Sequence, residues 1–476
     1  MASNLSQSRD TWGSKLGFVM AAAGSAVGLG NIWKFPYTAG ESGGGAFVLI
    51  YLAFVIVIGF SVMLTEFAIG RHTQKSAVGA FKTTDRRWTF TGVISVVSGL
   101  LIMGFYPAVG GWSIAYIYKV ATGLLNTPEL IGDSFGSFIS TPVEPLMWMS
   151  VYLMLNVLIV MKGISGGIEK AGKILMPMLF MILIIVSIKG LSLPGSSAGL
   201  TFLFSPDFSK VDSSVVLAAL GQAFFSLSLA TGCMITYGSY LNKKENLVQT
   251  TAMVVAMDSG VALLAGVAMF PAMFAFGMEP PAAGPGLVFV VVPQLFAEMG
   301  GVIGLLFALL FFVGLSVAAL TSSVSLLEVA VSYLIDEKQM TRFKAVLVSS
   351  ITMISMCVLS SLSLGGIGPK LFDTGVFDIF DLLTDKIFLA VCGMFICIFA
   401  GWRLNKKDLE NEITNNGQVS FPLFNLWYTL VKYVIPFAIA IVALMGVKAG
   451  FDSGKGEVML MGIAFIAFTA VISKRF

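Results

Sequence analysis

Twelve apolar runs divide this 476-residue chain and account for most of it. They lie near 14–38, 44–69, 91–118, 144–161, 168–188, 213–240, 247–276, 299–335, 343–363, 377–400, 421–447 and 457–473. As helices, nearly all are long enough to cross a hydrocarbon core of about 30 Å, and a helix satisfies its own backbone polar groups in lipid. Charged residues make up only 12% of the chain and cluster at the breaks between runs. Counted with glycine and without tyrosine, the apolar share is about 65%, against about 45–50% in soluble domains. A water-soluble globule is excluded. The fold class is an all-α polytopic membrane protein with 12 transmembrane helices.

Basic residues next to spans set orientation. With the N-terminus inside, about 20 of the 29 Lys and Arg fall in cytoplasmic segments, among them Arg71, Lys75, Lys82, Arg86 and Arg87 after span 2. Both termini are therefore expected in the cytoplasm, with the chain multi-pass in an inner (plasma) membrane. The polar opening MASNLSQSRD carries no cleavable leader pattern, so the first apolar run reads as a span. Nucleic acid is not implied by the modest net charge of +3. Cys233, Cys357, Cys392 and Cys397 lie inside apolar runs, so they read as small buried hydrophobes without disulfide or metal spacing. The single histidine, His72, sits in a basic loop.

Spans 1 and 6 are interrupted at mid-membrane. The first contains Gly24-Ser25-Ala26-Val27-Gly28-Leu29-Gly30-Asn31 and the sixth Ser226-Leu227-Ser228-Leu229-Ala230-Thr231-Gly232. Glycine costs about 1 kcal/mol against alanine in a helix, and unwound backbone in lipid is tolerated only where it faces protein or a wet cavity. Gly24 and Gly28 alone also fit a small-residue packing face. Gly30 off that stripe and the amide of Asn31 beside it favour a break. Breaks at matching positions in two halves point to a transporter of two inverted five-helix repeats, spans 1–5 and 6–10, plus two extra helices, with a site at the midplane. The segments are then 1–13 (cytoplasmic), 14–188 (first repeat), 189–212 (extracellular loop), 213–400 (second repeat) and 401–476 (spans 11–12 and a short tail).

The chain resembles the neurotransmitter:sodium symporter family, in its bacterial amino-acid branch, over nearly its whole length. The residues that carry the likeness are Trp12, GSAVGLGNIWKFPY (24–37), ESGGGAF (41–47), EFAIGR (66–71), GQAFFSLSLATG (221–232), GPGLVFVVVP (284–293), ALTSS (319–323) and FDIFD (377–381). The resemblance implies Na+ as the coupling ion, at one or two sites. The first would take the Ala26 carbonyl, Asn31, Ser226, Asp258 and the substrate carboxylate. The second would take the Gly24, Val27 and Ala318 carbonyls with the Thr321 and Ser322 hydroxyls. Hard Na+ suits such oxygens. On their own, Thr321 and Ser322 read equally as hydroxyls bonded back to their helix. Asp258 deep in an apolar span implies a functional pairing, or a bond to a neighbouring helix. Relatives often carry asparagine there and a chloride-holding serine one turn later, where this chain has Ala262. No chloride requirement is therefore expected.

By the same resemblance, backbone around Gly28, Leu29 and Gly30 and the hydroxyl of Tyr106 would hold a substrate carboxylate, as helix N-termini favour anions. Carbonyls of Ala26, Phe225 and Ser228 would meet the amino group. Val27, Tyr106, Phe225, Thr231, Ser322 and Leu326 would line the side-chain pocket. No strong charge faces it, which favours a neutral amino acid as the partner. Ala230 stands where relatives have glycine, so its methyl would crowd the substrate backbone, and Thr231 gives a smaller, more polar wall. A small or hydroxylated substrate is expected, with large apolar or aromatic ones open. Lys34 and Asp381 match the outer gate pair, with lysine in place of arginine, while Arg9 and Asp336 with the plug Trp12 match the inner one. Glu66 and Glu328 are assigned structural roles first and a proton-linked role second, and Lys386 and Lys432 snorkelling or helix-end roles. With one loop histidine, no clustered cysteines and no catalytic carboxylate pair, an enzyme is not expected. A channel or non-transporting sensor of the same fold is the alternative. Oligomeric state is not legible.

Overall fold

The structure is a computed structural model and describes residues 10–278 and 286–473. Within these residues all twelve apolar runs are helical. Nine helices are long and apolar enough to span a membrane unaided: Gly45–Thr73, Arg86–Ala121, Val143–Met161, Ile164–Leu191, Leu247–Ala275, Gly301–Lys338, Arg342–Leu364, Val376–Trp402 and Phe424–Asp452. Span 1 is a bent pair, Lys15–Ala26 and Gly30–Glu41, with a 46° change of direction. Span 6 is Ser213–Ser226 followed, after a gap, by Cys233–Gly238. Span 12 is the shorter helix Gly456–Ile472.

Local chemistry sets the starts. Ser14 accepts from the Gly17 amide at 3.0 Å to cap span 1. Asp212 accepts from the Ser214 and Val215 amides at 2.8 and 3.1 Å to cap span 6. Span 3 begins at Arg86, several residues before the expected start, and kinks at Gly104 and Phe105. A helix not expected from the sequence, Leu287–Met299, lies between spans 7 and 8. The loops expected outside carry helices too, Pro128–Ser140 and Ser197–Phe204, and a two-stranded hairpin pairs Lys370 with Gly375.

Burial separates centre from rim. The most apolar window of span 3 is 78% buried, whereas those of Val143–Met161 and Phe424–Asp452 are 33% buried. The second pair presents Met154, Phe437 and Leu444 outward, as expected of a lipid-facing surface. Spans 1, 3, 6 and 8 surround the centre, and both breaks open there.

Candidate substrate and ion site between the broken helices

Span 1 unwinds at Val27, whose backbone is extended (φ −73°, ψ 105°), so the last carbonyls of the first segment lose their in-helix donors. Two side chains hold the break. Asn31 Oδ1 accepts from the Gly28 amide at 2.9 Å, and the Tyr106 hydroxyl accepts from the Leu29 amide at 3.0 Å. A Cβ on Gly28 would lie 2.5 Å from the Tyr106 hydroxyl and 2.8 Å from Ser322 Cβ, and one on Gly30 would lie 3.0 Å from the Phe225 ring. These two glycines are there for space.

Span 6 breaks differently. Ser228, Ala230 and Gly232 adopt φ of 52°, 62° and 81°, the left-handed region that costs L-residues strain. Three bonds stabilise the segment: Ser228 Oγ donates to the Ser25 carbonyl at 2.7 Å, Thr231 Oγ1 to the Ser228 carbonyl at 2.7 Å, and the Ala230 amide to Glu66 Oε1 at 2.7 Å. Glu66 thus has the structural role expected of it, as the acceptor that closes the second break.

Asp258 of span 7 joins the two breaks. Asn31 Nδ2 donates to Asp258 Oδ1 at 2.7 Å and to Ser226 Oγ at 3.0 Å, Ser226 Oγ donates to both Asp258 oxygens at 2.9 Å, and the Tyr51 hydroxyl lies 3.4 Å from Oδ2. All four residues are buried. Asn31 therefore turns its amide nitrogen to the carboxylate and its oxygen to Gly28, the reverse of the expected ligand orientation, because a cluster of acceptor oxygens attracts the donor end.

Beside this cluster is a cavity of about 10 Å³, room for roughly one water-sized sphere. Its walls include Ala26, Gly28, Gly30, Tyr106, Phe225, Ser228, Thr231, Ser322 and Leu326, all expected from the sequence. Ile102 and Leu389 also line it and were not expected. Leu29 takes part through its amide rather than its side chain. Val27 does not line the cavity, and neither does Ala230, whose methyl instead sits on a left-handed backbone. Of the second ion set, Thr321 Oγ1 is bonded back to the Val317 and Ala318 carbonyls at 3.1 Å, the own-helix reading. A Cβ on Gly24 would lie 3.1 Å from Thr321 Cβ, so spans 1 and 8 meet at these two residues.

The model of the sodium:neurotransmitter symporter family matches residues 9–128 and 136–455. This chain belongs to that family. It is 39% identical to YhdH, a sodium-dependent transporter of Bacillus subtilis, over 91% of this chain and 96% of that protein. A sodium-dependent transporter of Haemophilus influenzae is 36% identical over 91% and 97%. The crystal structure of MhsT in complex with L-phenylalanine superposes with a TM-score of 0.85 at 40% identity, covering 92% of this chain and all of that one. The symporter is a sodium-dependent membrane transporter and not an enzyme, and the twelve-span all-α fold read from the sequence stands.

Two clusters of side chains lie at opposite ends of the broken helices. At the end expected to face inward, Trp12 packs against Phe18, Tyr237 and Tyr240 with centroids 5.4, 5.1 and 6.5 Å away, and its Nε1 donates to the Tyr237 carbonyl at 3.0 Å. Arg9 lies outside the described residues, and Asp336 Oδ2 accepts from the Ser76 amide at 2.6 Å. Sequence reasoning missed a second inner network: Arg342 bonds Glu328 at 2.6 Å and lies 3.6 Å from Asp10, while the Tyr240 hydroxyl donates to Glu328 at 2.9 Å. Buried Glu328 so near basic Arg342 was the available signal. At the end expected to face outward, Lys34 Nζ lies 4.5 Å over the Phe225 ring. The expected partner Asp381 is corrected: Lys34 bonds Asp385, one turn later, at 2.6 Å. Lys386 joins the same carboxylate at 3.0 Å, and Lys432 lies 4.6 Å over the Trp402 ring.

At the end of the bundle expected to face the cytoplasm, burial raises the Glu412 carboxyl, but hydrogen bonds from His72 and Lys243 and the Arg71 guanidinium outweigh it and hold it down at about 2. This knot ties the Lys406–Ile413 helix to the end of span 2.

Proposed function

We propose that the symporter imports a neutral amino acid together with one or two Na+ by alternating access, across a plasma membrane with both termini in the cytoplasm. The observation that carries this is the Asn31–Ser226–Asp258 cluster, which links the two broken helices directly beside the cavity. Oxygens of Ala26, Asn31, Ser226 and Asp258 would hold the first Na+ once the Asn31 amide turns over, with the substrate carboxylate completing the shell. Gly24, Val27, Ala318, Thr321 and Ser322 would hold the second. An ion and a substrate that share ligands tighten each other's binding by the same factor. The two five-span repeats, 14–188 and 213–400, would move against one another around this point.

The substrate is read as neutral because no charged side chain among the described residues lines the cavity, and as small or hydroxylated because Ser228, Thr231 and Ser322 contribute hydroxyls to its wall. The crystal structure of MhsT in complex with L-phenylalanine keeps large aromatic side chains open as the alternative. Chloride is read as unnecessary. The hydroxyls of Ser226 and Tyr51 and the amide of Asn31 converge on Asp258, so a fixed negative charge already occupies the donors that an anion would use.

The experiment is a thermal-shift screen of the twenty amino acids against purified protein, each in NaCl, KCl and sodium gluconate. A shift seen in both sodium salts and absent in KCl is expected. A shift lost in gluconate would sink chloride independence, and no Na+-dependent shift would favour a non-transporting sensor or a different substrate class.

A further inference from the structure

The outer gate holds two carboxylates for one lysine. Asp381 and Asp385 lie four residues apart on span 10, and among the described residues Asp381 forms no ion pair, whereas Asp385 takes Lys34 on Oδ1 at 2.6 Å and Lys386 on Oδ2 at 3.0 Å. Local geometry explains the choice. Asp385 sits in a π-type turn, Thr384–Phe388, between the α-helices Val376–Leu383 and Leu389–Trp402. A wider turn changes the angle at which a side chain leaves the helix, and such turns recur at functional sites. The lysine matters as well: an arginine fork would claim both carboxylate oxygens, but a compact ammonium takes one and leaves the other for Lys386.

Asp385 also touches the moving parts. A Cβ on Gly221 of span 6 would lie 3.5 Å from its Oδ1, and the lysine that it holds lies over Phe225, a wall of the central cavity. One carboxylate thereby connects spans 1, 6 and 10 at the outer mouth. We infer that this symporter closes its outer gate on Asp385, shared between Lys34 and Lys386, and that Asp381 is not the closing partner. This rests on the alternating-access reading, but its test needs no substrate.

Ile102→Cys puts a thiol on the cavity wall, and the four native cysteines are buried. In whole cells in Na+, a membrane-impermeant thiosulfonate reaches position 102 only when the outer gate opens. Adding Asp385→Asn removes the charge from a half-buried pair and is expected to raise the modification rate about tenfold, while Asp381→Asn changes it less than about twofold. A rise with Asp381→Asn equal to or above that with Asp385→Asn overturns the inference, as does no rise with Asp385→Asn. If Asp385→Asn does not reach the membrane, the swap Lys34→Asp with Asp385→Lys decides. It should return the rate to that of Ile102→Cys alone, and the swap with Asp381→Lys should not; the reverse outcome refutes the assignment. An amino-acid screen without Na+-dependent hits would sink the proposed function and leave these rates standing.

Discussion

The two broken helices solve one problem by different means. In span 1 the backbone leaves the helix without left-handed residues, and Gly28 and Gly30 serve to let Tyr106, Ser322 and Phe225 come close. In span 6 the chain turns through three left-handed residues, only one of them glycine, and a buried carboxylate is needed to receive the Ala230 amide. A glycine that makes room and a glycine that permits an angle fail in different ways when replaced. The first break should therefore govern binding and the second stability.

The largest effect is expected where the two meet. Asp258→Ala leaves the Asn31 amide and the Ser226 hydroxyl without their shared acceptor, and it removes a proposed Na+ ligand. Na+ and substrate affinities should fall together, each by about tenfold or more, because coupling is reciprocal. Titrating substrate at several Na+ concentrations checks this, and an unchanged substrate affinity throughout would refute the shared site.

Gly28→Ala and Gly232→Ala separate the two breaks. The first puts a methyl against the Tyr106 hydroxyl and Ser322, so Na+-dependent binding should fall about tenfold or more with a smaller change in thermal stability. The second has ordinary or slightly tight contacts, nearest 3.2 Å, but a φ of 81°, so it should cost about 1–2 kcal/mol of stability while binding changes less. Equal loss of binding in both variants would erase the distinction.

How far the sequence carried is uneven, for physical reasons. Span existence was legible because lipid requires long apolar runs, and both breaks because glycine, serine and asparagine are costly there. The cavity walls contributed by Ser228, Thr231 and Tyr106 stood out as polar groups among apolar neighbours. Ile102 and Leu389 did not, since an apolar wall residue looks like any other residue of a span. Charge pairing was least legible. Whether Lys34 meets Asp381 or Asp385 depends on the rotation of span 10 at a π-type turn, which no residue at 384–388 announces. Likewise Asp10 lies far along the chain from Glu328 and Arg342 and meets them only through helix packing.

A smaller effect is expected at Glu66. Replacing it with alanine strands the buried Ala230 amide, which should cost about 1–3 kcal/mol. Glu66→Gln keeps an oxygen for that amide and should recover part of the loss. Denaturation in detergent measures both, and an alanine variant as stable as the parent would mean that the second break does not depend on this acceptor.

The smallest effect separates two accounts of Ala230. If its methyl crowded the substrate, Ala230→Gly would improve affinity, most of all for large side chains. The cavity wall is instead made by its neighbours Ser228 and Thr231, and Ala230 itself holds a φ of 62°. Glycine relieves that strain, a gain of about 1 kcal/mol, but adds freedom to the unfolded chain worth about 0.4–1 kcal/mol in the opposite direction. The net is a stability gain of at most a few tenths of a kcal/mol, with substrate affinities unchanged. Thermal denaturation beside a binding series from alanine to tryptophan distinguishes the two accounts. A size-dependent gain in affinity would place the methyl back in the pocket and weaken the claim that the span 6 break acts through its backbone alone.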